Sequence, residues 1–228
     1  MHFNSSGEAA QATAQRVRAT GRQAKAVSAA LTDPDACHEL IRRSPGPVTL
    51  LVNSASAFEP DSAQDFDPGR HDALMAVNLR APLILAQAMA AAQPADRSGL
   101  IVNITDQRVW RLTPNFFSYT LSKAALWTAT QTLAQALAPR IRVNAIGPGP
   151  TLPSVHQTAE TFAAQQRAVP LEHGATPEDI AHALAYLIGA TAVTGQMIAV
   201  DGGQHLSWRT PDALNEGGNV VGNGAADG

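Results

Sequence analysis

Hydrophobic and polar positions along the chain follow two alternating patterns. Short continuous apolar runs, such as those at 48–56 and 99–105, are typical of buried parallel strands. Helical stretches separate these runs. One of them begins at Asp33, an N-cap candidate that is followed by proline at the first helical position. The predicted helices cover residues 8–21, 33–44, 70–92, 117–137 and 177–189, and the predicted strands cover 23–31, 48–56, 99–105, 141–147 and 196–203.

This alternation predicts a doubly wound α/β fold with a parallel sheet and helices on both of its faces. The chain has 228 residues, of which 45% are hydrophobic, and this is enough apolar material for one sizeable core. We therefore expect a single domain over residues 1–210. Residues 211–228 are glycine-rich and polar, and we predict that they form a disordered tail.

Charge and composition limit the functional classes. A net charge of -3 gives no basic footprint for nucleic acid, and no apolar run approaches the ~20 residues that span a bilayer. Cys37 is the single cysteine and cannot form an internal disulfide, and the N-terminus lacks the basic start and apolar core of a signal peptide. We predict a cytoplasmic protein with a small-molecule substrate, no nucleic-acid or membrane partner, and no metal.

The residues that follow the apolar runs carry the candidate chemistry, because ligands of such sheets bind beyond the carboxyl ends of the strands. They are Asn53-Ser54-Ala55-Ser56, Thr105-Asp106 and Gly147-Pro148-Gly149. Together with Tyr119, Lys123 and Asn78, these segments resemble the short-chain dehydrogenase/reductase family in order and spacing, over residues 2–207. The resemblance implies a Rossmann-like fold and a nicotinamide cofactor.

Tyr119 and Lys123 are four positions apart, which places phenol and ammonium on one face of a helix. Positive charge from the lysine and from an oxidised nicotinamide favours phenolate, so we expect a lowered pKa for Tyr119 and proton transfer near neutrality. The resemblance further implies that Lys123 binds the nicotinamide ribose and that Asn78 holds a water in a proton relay. Alone, the same spacing would fit a tyrosine capping a surface helix beside a solvated lysine.

Asp106 lies thirteen residues before Tyr119, where most of the family has serine. Aspartate at this place resembles the pteridine reductase branch, in which a carboxyl group beside the tyrosine can assist protonation of a ring nitrogen. That branch also has the pattern N-x-A-S-x-F, which here runs from Asn53 through Ser56 to Phe58. The resemblance implies that Ser56 and Phe58 bind substrate, with the Phe58 ring stacking on a pterin.

The cofactor form is predicted from the N-terminal residues of this chain, which correspond to the end of the family's second strand. Asn4, Ser5 and Ser6 stand where members that prefer NAD place an acid, so a ribose 2′-phosphate would meet no repulsion and NADP(H) is favoured. The resemblance implies further cofactor contacts from the strand ends and the tyrosine helix. These residues are Asn53, Ser54, Ala55, Lys123, Pro148, Gly149 and Thr151.

The family's first strand and its glycine-rich turn have no counterpart in this sequence, and Met1 stands where the second strand is already under way. We expect two strands to lack a neighbour, because the absent strand is central in this topology. Two readings follow. Either the protein starts about 30 residues upstream, the length of one βα unit, or the shortened chain is real and catalytically inactive.

Three functional hypotheses remain open. The first is an NADPH-dependent pteridine reductase acting on dihydropterin or dihydrofolate-like substrates. The second is a reductase of another carbonyl substrate, such as a 3-oxoacyl compound, with Asp106 a local variation. The third is an inactive subunit that only oligomerises, as a tetramer or dimer, through the long helices around Asn78 and Tyr119.

Overall fold

Strands and helices alternate along residues 1–208, the part of the chain that this computed structural model describes. The tail predicted for residues 211–228 lies outside the described residues. The strands are β1 (His2–Phe3), β2 (Val27–Ser28), β3 (Leu50–Asn53), β4 (Gly99–Ile104), β5 (Ile141–Pro148) and β6 (Met197–Val200). The α-helices are α1 (Gly7–Ala19), α2 (Pro34–Arg42), α3 (Pro68–Met75), α4 (Ala81–Ala92), α5 (Phe117–Leu137), α6 (Ala159–Arg167) and α7 (Pro177–Gly189).

The larger sheet has the order β3-β4-β5-β6, and all of its strands are parallel. β4 and β5 are central, and their apolar residues are almost entirely buried. One face packs against α4 and α5 through Met89 and Ala134, and the other packs against α7 through Leu187. Layers of helix on both faces confirm the predicted doubly wound α/β class.

A second, two-stranded parallel sheet is formed by β1 and β2. No hydrogen-bonded ladder within residues 1–208 joins it to the larger sheet, so β1 and β3 each have one partner strand. The side chain of Leu50 in β3 is 38% exposed, which is unusual for a strand of a doubly wound sheet. This arrangement agrees with the expectation that two strands lack a neighbour.

The small sheet is held to the rest of the protein through α2. Leu31, Cys37 and Ile41 pack against Ala81 and Leu85 in one buried cluster. In addition, the guanidinium of Arg80 donates to the carbonyl of Thr32 over 2.8 Å. The segment that follows β2 is therefore fixed relative to the core by these contacts rather than by a strand ladder.

The long helix predicted for residues 70–92 is α3 and α4 joined by a π-helical turn, Ala76–Arg80. It begins earlier than predicted, at Pro68, because Asp67 accepts a hydrogen bond from the backbone N–H of Arg70 and caps it. By length and composition, Pro68–Ala92 is the one helix within residues 1–208 that could cross a membrane. This helix was not expected from the sequence, because the polar residues Asn78 and Arg80 divide its apolar sequence into shorter runs.

Candidate active site

A cavity of about 290 Å³ opens beyond the carboxyl ends of β4 and β5. This is the edge of the sheet at which ligands bind in open α/β folds. Most of the site residues predicted from the sequence line this cavity. They are Ser54, Ser56, Phe58, Asp106, Tyr119, Lys123, Pro148, Gly149 and Thr151.

Tyr119 and Asp106 are in direct contact within this cavity. The phenolic O–H donates to Asp106 Oδ2 over 2.9 Å, and the other carboxylate oxygen accepts from the backbone N–H of Arg108 over 2.8 Å. Asp106 has extended backbone geometry after β4 and caps the 3₁₀ turn Gln107–Val109. The turn therefore fixes the orientation of the carboxylate that meets the phenol.

Lys123 lies one helical turn beyond Tyr119 on the same face of α5 and is 2% exposed. Its ammonium donates to the carbonyl of Ile104 at the end of β4 over 2.9 Å. The Nζ atom is 5.7 Å from the centroid of the Tyr119 ring. A buried lysine is costly unless its charge is compensated, and burial lowers the pKa of Lys123 to about 8 although the charge of Asp106 opposes the change.

The predicted lowering of the Tyr119 pKa is wrong for this structure. Burial, followed by the charge of Asp106 and the hydrogen bond to it, raises the pKa of Tyr119 well above its ordinary value. The positive charge of Arg108 acts in the opposite direction but does not prevail. The ammonium of Lys123 bonds the carbonyl of Ile104, whereas the phenol bonds a carboxylate. The phenol therefore keeps its proton at neutral pH in this environment.

The N-terminus of α5 is capped by a distant residue. Asp61, which is 6% exposed, accepts from the backbone N–H of Ser118 with both carboxylate oxygens, at 3.0 and 3.2 Å. Its own carbonyl accepts from the N–H of Phe117 over 3.2 Å. No side chain adjacent to the helix supplies a cap, since the preceding residue, Phe116, is in the left-handed region. The loop after β3 thus holds the helix that carries Tyr119.

Phe58, which lines the cavity, lies against other aromatic rings. It stacks on Phe116, with centroids 4.3 Å apart and planes inclined by 11°, and meets Tyr119 edge to face at 4.7 Å. His156, from the segment after β5, is 6.3 Å away. Phe116 covers one face of Phe58, so a flat ligand would meet the other face or displace Phe116.

Asn78 lies in the π-helical turn and is 1% exposed. Such turns are often found at functional sites. Its Oδ1 accepts from Ala57 N at 2.8 Å and Ser56 Oγ at 3.2 Å, while its Nδ2 donates to Ala57 O and Ser122 Oγ. Protein atoms occupy all four positions of the amide. A water relay through this side chain would require one of these bonds to break, and the predicted relay role stays a prediction.

Two predicted cofactor residues after β3 do not line the cavity. Asn53 is buried and donates through Nδ2 to Asn103 Oδ1 over 2.8 Å, and Asn103 in turn donates to Thr130. This network links β3, β4 and α5 inside the protein. Ala55 is exposed on the loop, outside the cavity lining. Of the two, Asn53 positions the strand end from which Ser54 and Ser56 reach the cavity.

Asn4, Ser5 and Ser6 are exposed at the end of β1, away from the cavity lining, and directly precede α1. Ser6 is the N-cap of α1, but its side chain makes no capping hydrogen bond. The free backbone donors at a helix N-terminus favour anions. The backbone and side-chain donors at the start of α1 therefore fit a phosphate. In the cavity, Lys123 and the polar residues at the strand ends fit a ribose and a nicotinamide.

The close approach of β5 to β6 shapes the rim of the cavity. A Cβ atom at Gly149 would lie 2.7 Å from Asp201 Cα, so only glycine fits. Thr151 Oγ1 donates to the carbonyl of Gly149 over 3.1 Å. This short bond keeps the chain turned over the cavity after Pro148.

Several cavity residues escaped prediction from the sequence. Gln107 is 5% exposed and its Oε1 has no hydrogen-bond partner. Arg108 lies with its guanidinium carbon 5.3 Å from the centroid of the Phe116 ring. Their proximity to Asp106 and Tyr119 in sequence is the one signal that could have found them, since neither type nor spacing distinguishes them.

A family model described as Enoyl-(Acyl carrier protein) reductase matches residues 2–205. Among curated relatives, the uncharacterized oxidoreductase YjdA of Bacillus subtilis (strain 168) is 31% identical over 210 residues, which are 89% of this chain and 83% of that protein. The 3-oxoacyl-[acyl-carrier-protein] reductase FabG of Staphylococcus epidermidis is 27% identical over 214 residues, covering 90% and 88% of the two chains.

A crystal structure of FolM alternative dihydrofolate reductase 1 from Brucella suis, in complex with NADP, is similar to this chain with a TM-score of 0.89. The two sequences are 49% identical. The match covers 92% of this chain and 86% of that chain.

Proposed function

Because this chain belongs to the short-chain dehydrogenase/reductase family, we propose that it is an NADP(H)-dependent pteridine reductase acting on dihydropterin or dihydrofolate-like substrates. The hydrogen bond between Tyr119 and Asp106 carries the proposal. A carboxylate beside the proton donor, with the Phe58 ring 4.7 Å from the same tyrosine, suits a flat nitrogen heterocycle better than a simple ketone.

The reduction of a ring C=N bond needs one hydride and one proton. Bound NADPH would supply the hydride to carbon. Tyr119, which keeps its proton at neutral pH, delivers that proton to the ring nitrogen, so that a C–H and an N–H bond replace the C=N double bond. Asp106 accepts the Tyr119 hydrogen bond and can pass a proton back to the phenolate from solvent.

Cofactor binding is assigned to residues at two places. Asn4, Ser5 and Ser6 would hold the 2′-phosphate, because none of them is acidic and the N-terminus of α1 follows. Lys123 would bind the nicotinamide ribose at the end of β4, and Ser54, Pro148, Gly149 and Thr151 would line the nicotinamide site. Asn53 and Ala55 complete this set as residues that shape the loop after β3.

Substrate binding is assigned to Ser56, Phe58, Asp106 and Tyr119, which share the cavity. Ser56 Oγ is already held by Asn78 Oδ1 at 3.2 Å, so its orientation is fixed before a ligand arrives. The FolM structure supports the proposal, since that protein is named a dihydrofolate reductase and was crystallised with NADP.

The test is an initial-rate assay of the purified protein with NADPH or NADH and four acceptors. These are a dihydropterin, dihydrofolate, a generic ketone or quinone, and a 3-oxoacyl thioester. We expect the dihydropterin and dihydrofolate to be reduced with the highest kcat/KM, and NADPH to be preferred. A dominant rate with the ketone or thioester would reject the pterin assignment.

Reduction of a carbonyl compound is the second candidate, favoured by the FabG relative and by the description of the family model. Tyr119 and Lys123 would serve that reaction equally well, with Asp106 in place of the usual serine. The acceptor series above separates the two candidates. A protein that reduced nothing and bound no nucleotide would instead be the silent subunit of the third hypothesis.

Association with further copies of the chain, as a tetramer or dimer, is also part of the proposal. Leu83 on α4 and Leu121 on α5 are 37% and 42% exposed, respectively, which gives these helices apolar surface for contact. Light scattering of the purified protein would measure the mass. A cytoplasmic location and the absence of metal, nucleic-acid and membrane partners stay predictions from the sequence.

A further inference from the structure

Arg108 is a cavity residue to which neither the reaction nor the fold has assigned a ligand. It lines the cavity beside Phe58 and Tyr119. The other cation of the lining, Lys123, is 2% exposed and bonds the carbonyl of Ile104 behind the tyrosine. Arg108 therefore supplies the positive charge at the accessible wall of the site.

The guanidinium of Arg108 is held in place by neutral acceptors. Its Nη1 donates to Thr113 Oγ1 over 2.8 Å and to the carbonyl of Asn115 over 3.2 Å. Within residues 1–208 it forms no ion pair, because the ion pairs of this part of the chain involve Arg42, His156 and His205. The charge is thus oriented by the loop before α5 without being neutralised.

One donor of this guanidinium has no acceptor. The Nε atom of Arg108 is buried and lacks a hydrogen-bond partner. Leaving a charged donor unpaired in a protein is costly. The carboxylate of Asp106 does not complete it, since Oδ2 accepts from Tyr119 and Oδ1 accepts from the backbone N–H of Arg108.

An aromatic path connects this charge with the proton donor. The ring of Phe58 meets Tyr119 at 4.7 Å, Phe116 stacks on Phe58 at 4.3 Å, and the Arg108 guanidinium lies 5.3 Å from the Phe116 centroid. A ligand with flat rings at the Tyr119 end and an anionic arm would find matching surfaces along this path. Guanidinium groups bind planar carboxylates in a bidentate manner, more specifically than they bind neutral acceptors.

We propose that Arg108 and Phe116 form a subsite for the carboxylate arm of a conjugated pterin, so that the substrate is a dihydrofolate-type compound rather than an unconjugated dihydropterin. This inference rests on the proposed function for the pterin end of the ligand. The anionic arm itself can be tested independently. Arg108 is here a specificity residue.

The kinetic test compares 7,8-dihydrofolate with a 7,8-dihydropterin that has no carboxylate. Arg108→Met keeps the apolar stem and removes the charge. We expect it to raise KM for dihydrofolate at least tenfold and to change KM for the dihydropterin less than twofold. Added salt should raise KM for dihydrofolate alone, because screening weakens an accessible charge pair. Equal changes with both substrates would mean that Arg108 only holds its loop.

Two matched variants separate charge from loop structure. Thr113→Val removes an acceptor of the guanidinium but leaves its charge, so the preference for dihydrofolate should persist. Arg111→Met removes a neighbouring arginine outside the cavity lining and should leave both KM values unchanged. A loss of preference in Thr113→Val as large as in Arg108→Met would overturn the subsite.

Binding of p-aminobenzoylglutamate, which has the anionic arm but no pterin, gives a measurement that does not depend on turnover. Calorimetry should show binding to the wild type, and a loss of at least tenfold in affinity in Arg108→Met. If the protein reduced no pterin but this difference were found, the proposed function would fail and the subsite would stand. If pterins were reduced and the wild type bound the arm no better than the variant, the subsite would fail and the function would stand.

Discussion

The phenol of Tyr119 donates a hydrogen bond of 2.9 Å to a carboxylate oxygen of Asp106, thirteen residues earlier in the chain. Tyr119 is buried and Asp106 is half-buried, and together with desolvation the carboxylate raises the pKa of the phenol. A serine at position 106 would bond the phenol without adding negative charge. The pair therefore supports the proposed role of Tyr119 as an acid that keeps its proton until a substrate accepts it.

Replacement of Tyr119 by phenylalanine tests the proton donor. The change removes the hydroxyl and keeps the ring that meets Phe58. We expect kcat to fall by about 10²- to 10⁴-fold, the usual contribution of a general acid, while the Kd for NADPH stays within twofold. Unchanged turnover would exclude Tyr119 from the chemistry. Tyr186, which is 59% exposed on α7, gives a control substitution that should change neither value.

The lowered pKa of Lys123 should make the stability of the protein depend on pH. Its pKa is about 8 in the folded protein and 10.5 in the unfolded chain, so between these values the unfolded state binds more protons. The free energy of unfolding of the wild type, relative to Lys123→Met, should therefore rise from pH 8 to pH 10.5. The full difference corresponds to about 3 kcal/mol. Urea unfolding at several pH values measures it, and a constant difference would contradict the buried charged lysine.

The cap that Asp61 provides for α5 should contribute to the free energy of unfolding, independently of the proposed reaction. Asp61→Ala leaves the buried N–H of Ser118 without its acceptor and should lower the free energy of unfolding by about 1–3 kcal/mol. Asp61→Asn keeps one acceptor oxygen and should cost less. Asp96→Ala, an exposed acid between α4 and β4, is the control. Chemical denaturation supplies the values, and equal effects at Asp61 and Asp96 would refute the capping role.

Phe58 predicts an effect on ground-state binding. Phe58→Leu removes the stacking face and should raise KM for a dihydropterin by about fivefold, equal to about 1 kcal/mol, with kcat changed less than twofold. Phe66→Leu is a matched control, because Phe66 lies near His71 and Phe117 outside the cavity lining. A fall in kcat without a change in KM would mean that Phe58 orients Tyr119 rather than the substrate.

The sequence predicted the central elements well because their patterns are strong. The apolar runs of β4 and β5 are buried on both faces, and α5 spans the predicted residues 117–137. The prediction was poorer at β2. A strand was predicted over residues 23–31, but only Val27–Ser28 pair with another strand. A short strand with one neighbour has little packing to extend it, and apolar composition does not report how many neighbours a strand has.

The site was predicted where helical spacing or strand order brings residues together. Tyr119, Lys123 and Asp106 converge because one pair shares a helix face and the third ends a neighbouring strand. The capping of α5 by Asp61 could not be predicted, since Asp61 lies 57 residues before Ser118 in the chain. The pKa of Tyr119 is raised rather than lowered for a related reason, because burial and the neighbouring Asp106 outweigh the opposing effects of Arg108 and Ser56.

The substitution Asp106→Ser tests the central claim most directly, because it restores the residue common in the family and removes the carboxylate beside Tyr119. The measurement is kcat/KM for a dihydropterin and for a simple ketone or quinone, in wild type and variant over pH 5–9. The account predicts a loss of about 10²- to 10⁴-fold with the pterin, a much smaller change with the carbonyl compound, and a shifted limb of the pterin pH profile. Equal losses with both substrates would show that Asp106 is structural and would contradict the pterin assignment.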